Sequence, residues 1–401
     1  MTGTLTVEAA VVGGGPAGLT AAIALADGGI ETALIAREPP PDHRTTALLA
    51  GSVTALETLG VWPLCAAEAA PLRTMRIVDA TGRLVRAPEV RFSSDEIGLD
   101  AFGYNIENRH LTAALDARAQ ALSSLARIDG EATAIEASGD GVTITLAGGR
   151  TVQAKLVVGA DGRHSLCRTA AGIETTGRRY PQVALTFNLS HTRPHDDTST
   201  EFHTEGGPFT LVPLPGRRSS LVCVARPDDA ARLAELDAND LNAELERRSF
   251  SVLGRLAAEP GRGVFPLAVE TARSFARGRI VLAGEAAHLI PPIGAQGLNL
   301  GLRDAATIAE LAVSARRLDR DIGSDEVMSH YDSLRSADIR SRTLAVDLLN
   351  RTLLSDFLPA QGARGLGLYL LSSIGPLRRA AMREGLAPSF TQPRLMRGEA
   401  L

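Results

Sequence analysis

Short apolar runs alternate with glycine- and proline-rich turns along most of the chain, and the spacing of the apolar positions divides it into three textures. Residues 5–12 (LTVEAAVV) form a short apolar run ending in glycines, which predicts a buried strand. Residues 16–26 place Leu19, Ile23 and Ala26 at helical spacing, and residues 30–36 form a second strand-like run. Strand, helix and strand in that order predict a parallel sheet with a right-handed crossover. Helices are expected at 52–59 and 109–125. A hairpin is expected from 132–137 and 142–146 around SGDG, and another buried strand at 155–159. From about 181 to 270 the texture changes: VALTFNL (183–189), PFTLVPL (208–214) and SSLVCVA (219–225) read as strands between Gly/Pro turns, with one helix near 239–257. This predicts an antiparallel-sheet domain inserted into an α/β unit. A parallel-type strand returns at RIVLAG (279–284), followed by a long helix at 298–315, and the last 60 or so residues read as mostly helical. Repeats and low-complexity tracts are absent.

Composition narrows the class. At 401 residues, with 44% apolar and 22% charged residues, the chain suits two domains or one large α/β unit. A net charge of −4 offers no basic field for nucleic acid. Cys65, Cys167 and Cys223 lie far apart without metal-type spacing and read as small buried hydrophobes in a reducing compartment. The N-terminus carries a strand-like run in place of a basic leader, and no apolar run has membrane-spanning length. A cytoplasmic location is therefore expected. The apolar stretch 365–377 reads as a core helix; because Arg378, Arg379 and Arg383 follow it, a helix lying on the inner-membrane surface is the alternative.

Three motifs carry the chemistry. GGGPAG (13–18) matches G-x-G-x-x-G directly between a strand and a helix. There Gly13 permits the tight turn, Gly15 lets the backbone approach a pyrophosphate, and Gly18 lets helix and strand pack closely, with Pro16 and Ala17 opening the helix. The acid expected about twenty residues on, at the end of the second strand, is replaced by Ala36-Arg37-Glu38. Glu38 can reach back to a ribose, whereas Arg37 would suit a 2′-phosphate. The second motif, VVGADGRHS (157–165), runs from a strand into a turn in which Asp161 can cap a helix or accept bonds from a ribose or loop amides. The third is GEAAHLIPPIGAQGLNLGLRDA (284–305), where Gly or Pro occupies five of the positions 284–297 before the long helix begins. Gly284 and Glu285 follow a strand end, so Glu285 can bind a ribityl hydroxyl. The turn Gly294-Ala295-Gln296-Gly297-Leu298-Asn299 leads into a helix whose positive end can face the pyrimidine edge of a flavin.

These motifs, in this order and at these separations, resemble class A FAD-dependent aromatic monooxygenases, the family of para-hydroxybenzoate hydroxylase. The third motif, with RTTALLAGSVTALETLGVW (44–62) and YNIENRHLTAAL (104–115), is most similar to the flavin hydroxylases of ubiquinone biosynthesis. The resemblance runs from about residue 5 to 320. It implies a Rossmann-like FAD-binding domain from 1–70, 101–180 and 271–345, an inserted antiparallel-sheet substrate domain from 71–100 and 181–270, and a C-terminal helical region at 346–401. It implies that Arg44 approaches the FAD pyrophosphate, that Arg109 touches the cofactor, that Asp161 serves both FAD and reduced nicotinamide, and that Pro292 lies over the reactive edge of the flavin. Residues 294–299 would wrap the pyrimidine end. Glu285 stands where the family usually has Asp, Pro291 where many relatives have His, and Ala295 where many have Gly.

The implied reaction uses NAD(P)H to reduce FAD and O2 to hydroxylate an aromatic ring through a flavin C4a-hydroperoxide. The leading substrate is a polyprenylphenol; alternatives are a soluble aromatic compound, or a non-catalytic flavoprotein scaffold in a biosynthetic complex. Trp62 is the only tryptophan and lies in no halogenase-type motif. Nucleophile, zincin and Walker motifs are absent, as expected if the flavin carries the hard step. His203, Tyr180 and Glu201 are candidates to accept a phenolic hydrogen bond, none of them assigned over a structural role. His191 and His195 (HTRPH) read as loop rather than as a metal pair. His288 is either a flavin-side residue or a satisfied loop histidine. Leu211, Val212, Leu214, Leu221, Val222 and Val224 can line a prenyl pocket or form sheet core. Contact with a membrane or a biosynthetic partner through the C-terminal helices, and oligomer formation, stay open.

Overall fold

A computed structural model describes residues 3–38, 42–82, 86–292, 294–354, 367, 369–371, 373–386 and 392–401. The chain opens with β1 (Thr4–Val12), α1 (Pro16–Asp27) and β2 (Thr32–Ala36), then β3 (Thr45–Leu49), α2 (Ala50–Thr58), β4 (Ala69–Pro71), β5 (Thr74–Asp79), β6 (Val90–Ser93) and β7 (Gly103–Glu107). Next come α3 (Asn108–Gln120), β8 (Leu125–Asp129), the hairpin β9 (Ala132–Ala137) and β10 (Val142–Leu146), β11 (Thr151–Gly159) and α4 (Leu166–Ala170). The middle supplies β12 (Thr175–His191), β13 (Thr198–Thr204), β14 (Gly207–Leu214), β15 (Arg218–Ala225), α5 (Pro227–Glu235), α6 (Ala238–Arg248), β16 (Leu256–Ala258) and β17 (Gly263–Ala272). The last stretch holds β18 (Ala276–Arg277), β19 (Ile280–Leu282), β20 (His288–Leu289), α7 (Gln296–Arg317), α8 (Asp325–Leu354) and α9 (Gly375–Leu386).

The first sheet has the order β18-β19-β11-β1-β2-β8, parallel across β19, β11, β1, β2 and β8. Residues 9–12 and 156–158 are almost all fully buried, because helices cover both faces of a parallel sheet. The second sheet has the order β20-β17-β12-β15-β14-β13-β5-β6 and is antiparallel except where β13 meets β5. Its strands therefore come from 74–93 as well as from 175–289. The expected division after 180 falls inside β12, which pairs with β17 from Thr175 onward. A small sheet, β3-β7-β4, lies between them in sequence and joins them in space. Asn105 of β7 donates to the Pro213 carbonyl at 2.9 Å and to Ser220 Oγ at 3.2 Å on the second sheet.

Several local expectations differ from the structure. The helix expected to 125 ends at Gln120; LARID at 125–129 instead pairs with β2 as β8, burying Ile128. The helix expected near 239–257 ends at Arg248, because Phe250 and Ser251 take left-handed conformations (φ 51° and 49°) and turn the chain. Helix α5 escaped notice although Pro227 with Asp228 and Asp229 forms a good helix start. In the stretch 365–377, residues 365, 366, 368 and 372 lie outside the described residues; none of the others is buried, and Tyr369, Ile374 and Leu377 are exposed, so the described residues do not form the expected core helix. No helix among the described residues is long and apolar enough to cross a membrane.

One face of the second sheet (Leu185, Phe187, Phe202, Phe209, Leu221 and Cys223) packs with Leu233, Leu241 and Leu245 of α5 and α6. Alternation then turns Thr186, Val222, Thr210 and Glu201 to the other face, where all four are only partly buried.

At Gly18 of α1 an added Cβ would lie 2.1 Å from the Gly13 carbonyl oxygen. Gly18→Ala is expected to destabilise the protein by about 3 kcal/mol or more, since backbone has to move; a melting temperature equal to wild type in circular dichroism would contradict this packing.

Candidate functional site

The three motifs meet through contacts that exclude side chains. Gly13 has φ +119°, and a Cβ there would sit 2.1 Å from the Ala160 carbonyl oxygen, which ties the first motif to the second. The Ala17 methyl lies 3.2 Å and 3.1 Å from where Cβ atoms on Gly284 and Gly301 would stand, which ties the first motif to the third. Backbone bonds fix the same seam: Ala160 N–H donates to Val12 O at 2.8 Å, and Ala283 N–H to Gly159 O at 2.9 Å. Helices α1 and α7 are thereby packed with their N-termini close together. Neither has a side-chain cap or an acidic residue in its first turn, so the N–H groups of both remain available to an anionic or electron-rich ligand.

The loop before α7 is held by one side chain. Asn299 is buried; its amide donates to Ala47 O at 2.8 Å and Ala295 O at 2.6 Å, and its oxygen accepts from Leu49 N–H at 2.8 Å. Turn 294–299 is thus fastened to β3. Ala295, the N-cap, sits in the left-handed region at φ 54°, a conformation that costs a residue with a Cβ about 1 kcal/mol or more. Beneath the loop lies a buried chain of charges. Asp304, fully buried, accepts from Gly284 N–H at 2.9 Å, His288 Nε2 at 2.7 Å and Arg335 Nε at 2.7 Å. Burial alone would raise its pKa, but His288 and Arg335 outweigh that and hold the carboxyl below its ordinary range. Arg303, Arg335 and Arg342 converge on Asp338 at 2.8–3.0 Å, and Arg342 Nη1 donates to Gln296 Oε1 at 2.7 Å. The network ends on the loop itself.

Comparison with known proteins decides what this geometry belongs to. The FAD binding domain family matches residues 6–340. Ubiquinone hydroxylase UbiL of Rhodospirillum rubrum is 36% identical, covering 98% of this chain and 92% of the relative. The 3-demethoxyubiquinol 3-hydroxylase of Escherichia coli is 31% identical, covering 94% and 98%. Among solved structures, p-nitrophenol 4-monooxygenase PnpA from Pseudomonas putida superposes with TM-score 0.78 at 21% identity, covering 96% of this chain and 100% of that one. The chain belongs to the FAD-dependent monooxygenases.

As a flavoprotein site, the seam suits its cofactor. A Cβ on Gly15 would meet nothing within 4 Å, so the one glycine expected to face the pyrophosphate is the one that faces open space. Glu38 is exposed just beyond β2, while Arg37 pairs with Glu131 at 3.3 Å rather than turning to the seam. Arg44 is held by Asp42 through bonds of 2.8 Å each and lies 5.3 Å over the Phe265 ring of the second sheet. Burial works to raise the Asp42 carboxyl, but Arg44 and Asn108 outweigh it and bring its pKa down to about 2; Asp42 in turn raises that of Arg44, with Glu285 adding to the effect. Glu285 is exposed at the strand end. Arg109 pairs with the buried Glu107 at 3.0 Å, and Glu107 also meets Arg218 at 3.1 Å. Asp161 uses both carboxylate oxygens locally, accepting from Ser165 Oγ at 2.5 Å and from Cys167 N–H at 3.0 Å, while Ser165 is the N-cap of α4. Pro292, Gly294 and Gly297 are exposed at the loop surface.

His288 contacts Asp304 beneath the loop, as a structural histidine would. Every ring nitrogen of His191 and His195 is engaged, with Arg193 O, Ser219 Oγ, Leu214 O and Asp197 N. Tyr180 lies under the Arg178 guanidinium, 4.8 Å from its ring. Leu211, Leu214, Leu221 and Val224 are buried in the sheet, while Val212 and Val222 are partly open. Sequence reasoning missed the charged chain of Arg303, Arg335, Asp338 and Arg342. Its signal was the spacing of 335, 338 and 342, which puts three charges on one face of a helix.

Gly15→Val is expected to leave the fold intact and abolish FAD binding; a variant that retains yellow colour at wild-type affinity would contradict the pyrophosphate placement. Ala295→Gly relieves the left-handed alanine and is expected to raise stability by about 1 kcal/mol. Denaturant unfolding measures it, and a loss of stability would contradict that conformation.

Proposed function

We propose that this monooxygenase hydroxylates the ring of a phenol, a polyprenylated precursor of ubiquinone being the leading substrate, with FAD, NAD(P)H and O2. The observation that carries the reading is the placement of a partly open sheet face toward the flavin loop. Two residues set that direction. Ser220 reaches Asn105 on β7, whose partner β3 is bonded by Asn299; Phe265, on the same face through its pairing with Ala184, lies beneath Arg44. In addition, β20 leads directly from this sheet into Pro291 and Pro292. A ring lying on the face would have the flavin loop on one side and the strands Thr186, Val222 and Thr210 on the other. Relatives covering nearly the whole chain carry ubiquinone-pathway names, which supports the substrate class.

When bound, FAD supplies hydride acceptance and oxygen activation. This chain's part is to bind, orient and exclude water. The N-termini of α1 and α7, brought together, would meet the two ends of the cofactor. Among the residues expected to hold it are Gly13, Gly15, Pro16, Ala17 and Gly18 at the pyrophosphate, with Glu38, Arg44, Arg109 and Asp161 nearby. Gly284 and Glu285 would serve the ribityl chain, Pro292 the reactive edge, and Gly294, Ala295, Gln296, Gly297, Leu298 and Asn299 the pyrimidine. The positive helix end would stabilise negative charge on the reduced ring.

The experiment is NAD(P)H oxidation by the FAD-loaded protein with and without phenols of graded prenyl length. Stimulation with coupled hydroxylated product, strongest for prenylated phenols, is expected. Stimulation confined to soluble aromatics would move the substrate class. Oxidation indifferent to every phenol would contradict catalysis and favour a scaffold role.

A further inference from the structure

We propose that Glu201 is the general base for the substrate's ring hydroxyl and that His203 positions it. The inference rests on the ring-hydroxylation reading above. Both residues lie on β13, two apart and therefore on one face, with His203 Nε2 2.8 Å from Glu201 Oε1. That face is the open one. Register places Glu201 in a row across the sheet with Thr210, Val222 and Thr186, all partly accessible, whereas the intervening Phe202 packs into the core under α5 and α6. Glu201 is the ionisable member of that row.

The two side chains are not equivalent. His203 is 4% exposed, and its Nδ1 is buried without a partner. Its Nε2 is directed at Glu201 Oε1, so the imidazole serves the carboxylate and nothing else. The other oxygen, Oε2, has only a distant contact, Thr210 Oγ1 at 3.4 Å. A carboxylate with one oxygen fixed and the other nearly free, on a partly open floor of Thr210, Val222 and Thr186, is arranged to accept one further hydrogen bond. On β5 and β13–β15, the other ionisable side chains with this face's parity are Asp79, bonded to Thr81 and the Ala87 N–H, and Arg218, paired with Glu259 and Glu107.

A carboxylate is too weak a base to deprotonate a resting phenol fully, and it does not have to. As a ring carbon forms its bond to the distal oxygen of the O2-derived oxidant, the O–O bond of that oxidant breaks and its electron pair leaves with the oxygen that stays behind; a lone pair of the ring hydroxyl becomes the C=O π bond, so its O–H is that of a protonated ketone, which is strongly acidic. The O–H bond then breaks, its electron pair stays on the oxygen as a lone pair, and the proton goes to Glu201 Oε2. General-base assistance of this kind is worth about 10²–10⁴-fold in rate. Loss of the proton on the attacked carbon then restores the aromatic ring, and Glu201, partly solvent-accessible, returns its proton to water.

The test uses FAD-loaded wild type, Glu201→Gln, His203→Gln and His203→Leu, with para-nitrophenol as a chromophoric probe. A carboxylate beside the bound hydroxyl favours the neutral phenol, so the bound probe's pKa, read from its phenolate absorbance, is expected to be higher in wild type than in Glu201→Gln by about 1 unit or more. Product formation with a true phenol substrate should fall about 100-fold or more in Glu201→Gln, with FAD affinity unchanged. His203→Gln, which retains a donor toward Oε1, should keep most activity, while His203→Leu should lose it. Equal probe pKa values in wild type and Glu201→Gln, or a probe that does not bind the wild type, would overturn the inference. Phenol-stimulated NAD(P)H oxidation in wild type reports separately on the hydroxylation reading, so the two can fail independently.

Discussion

Two helix N-termini are brought together by close glycine contacts, where an added methyl group would crowd its neighbours and at Gly13 and Gly18 would collide with backbone. Gly13 lies against the backbone of Ala160, Gly18 against Gly13, and Ala17 against Gly284 and Gly301. Backbone packed on backbone is the stiffest arrangement a protein can make, because nothing in it can change rotamer. Three segments separated by well over a hundred residues each are thereby locked in one geometry. The cofactor slot is a consequence of that lock: α1 and α7 meet because their glycines allow it, and their unsatisfied N–H groups define where negative charge is welcome.

The loop that leads into α7, proposed to meet the reactive end of the flavin, is fastened in a different way. Its backbone carries a left-handed alanine, and Asn299 ties it to β3 on one side while Arg342 holds Gln296 on the other. Among the described residues, three buried arginines meet two carboxylates, Asp304 and Asp338, below the loop. A buried ion network of this kind contributes little net stability. It does hold a fixed positive field beside the end of the slot where a reduced ring would carry negative charge. Specific geometry and field, rather than stability, are what the loop gains from it.

The parallel sheet, α1, α7 and the inserted antiparallel strands were legible in the sequence because their signals are local: buried runs, helical spacing, and glycines between them. The meeting of the three motifs was readable only through the family resemblance, since no periodicity joins residue 17 to residue 301. Strands β3 to β7 went unseen because they are short and each is stabilised by cross-strand partners remote in sequence, such as Leu49 with Gly103. The charge network was hidden for a related reason. Arg335, Asp338 and Arg342 look like any solvated helix face until α8 is packed on α7. Glu201 and His203 were visible as candidates; the sheet register adds that Glu201 shares a row with Thr210, Val222 and Thr186, while Tyr180 packs against Ala184 and Val224 of the same face beneath Arg178.

The most direct test of the whole account is a crystal structure of the protein with FAD bound. The pyrophosphate is predicted to lie against Gly15 at the start of α1, and the pyrimidine edge of the isoalloxazine against turn 294–299 at the start of α7, with the ring's reactive edge toward Pro292 and the open sheet face. A dinucleotide bound away from α1, or an isoalloxazine remote from that turn, would contradict it.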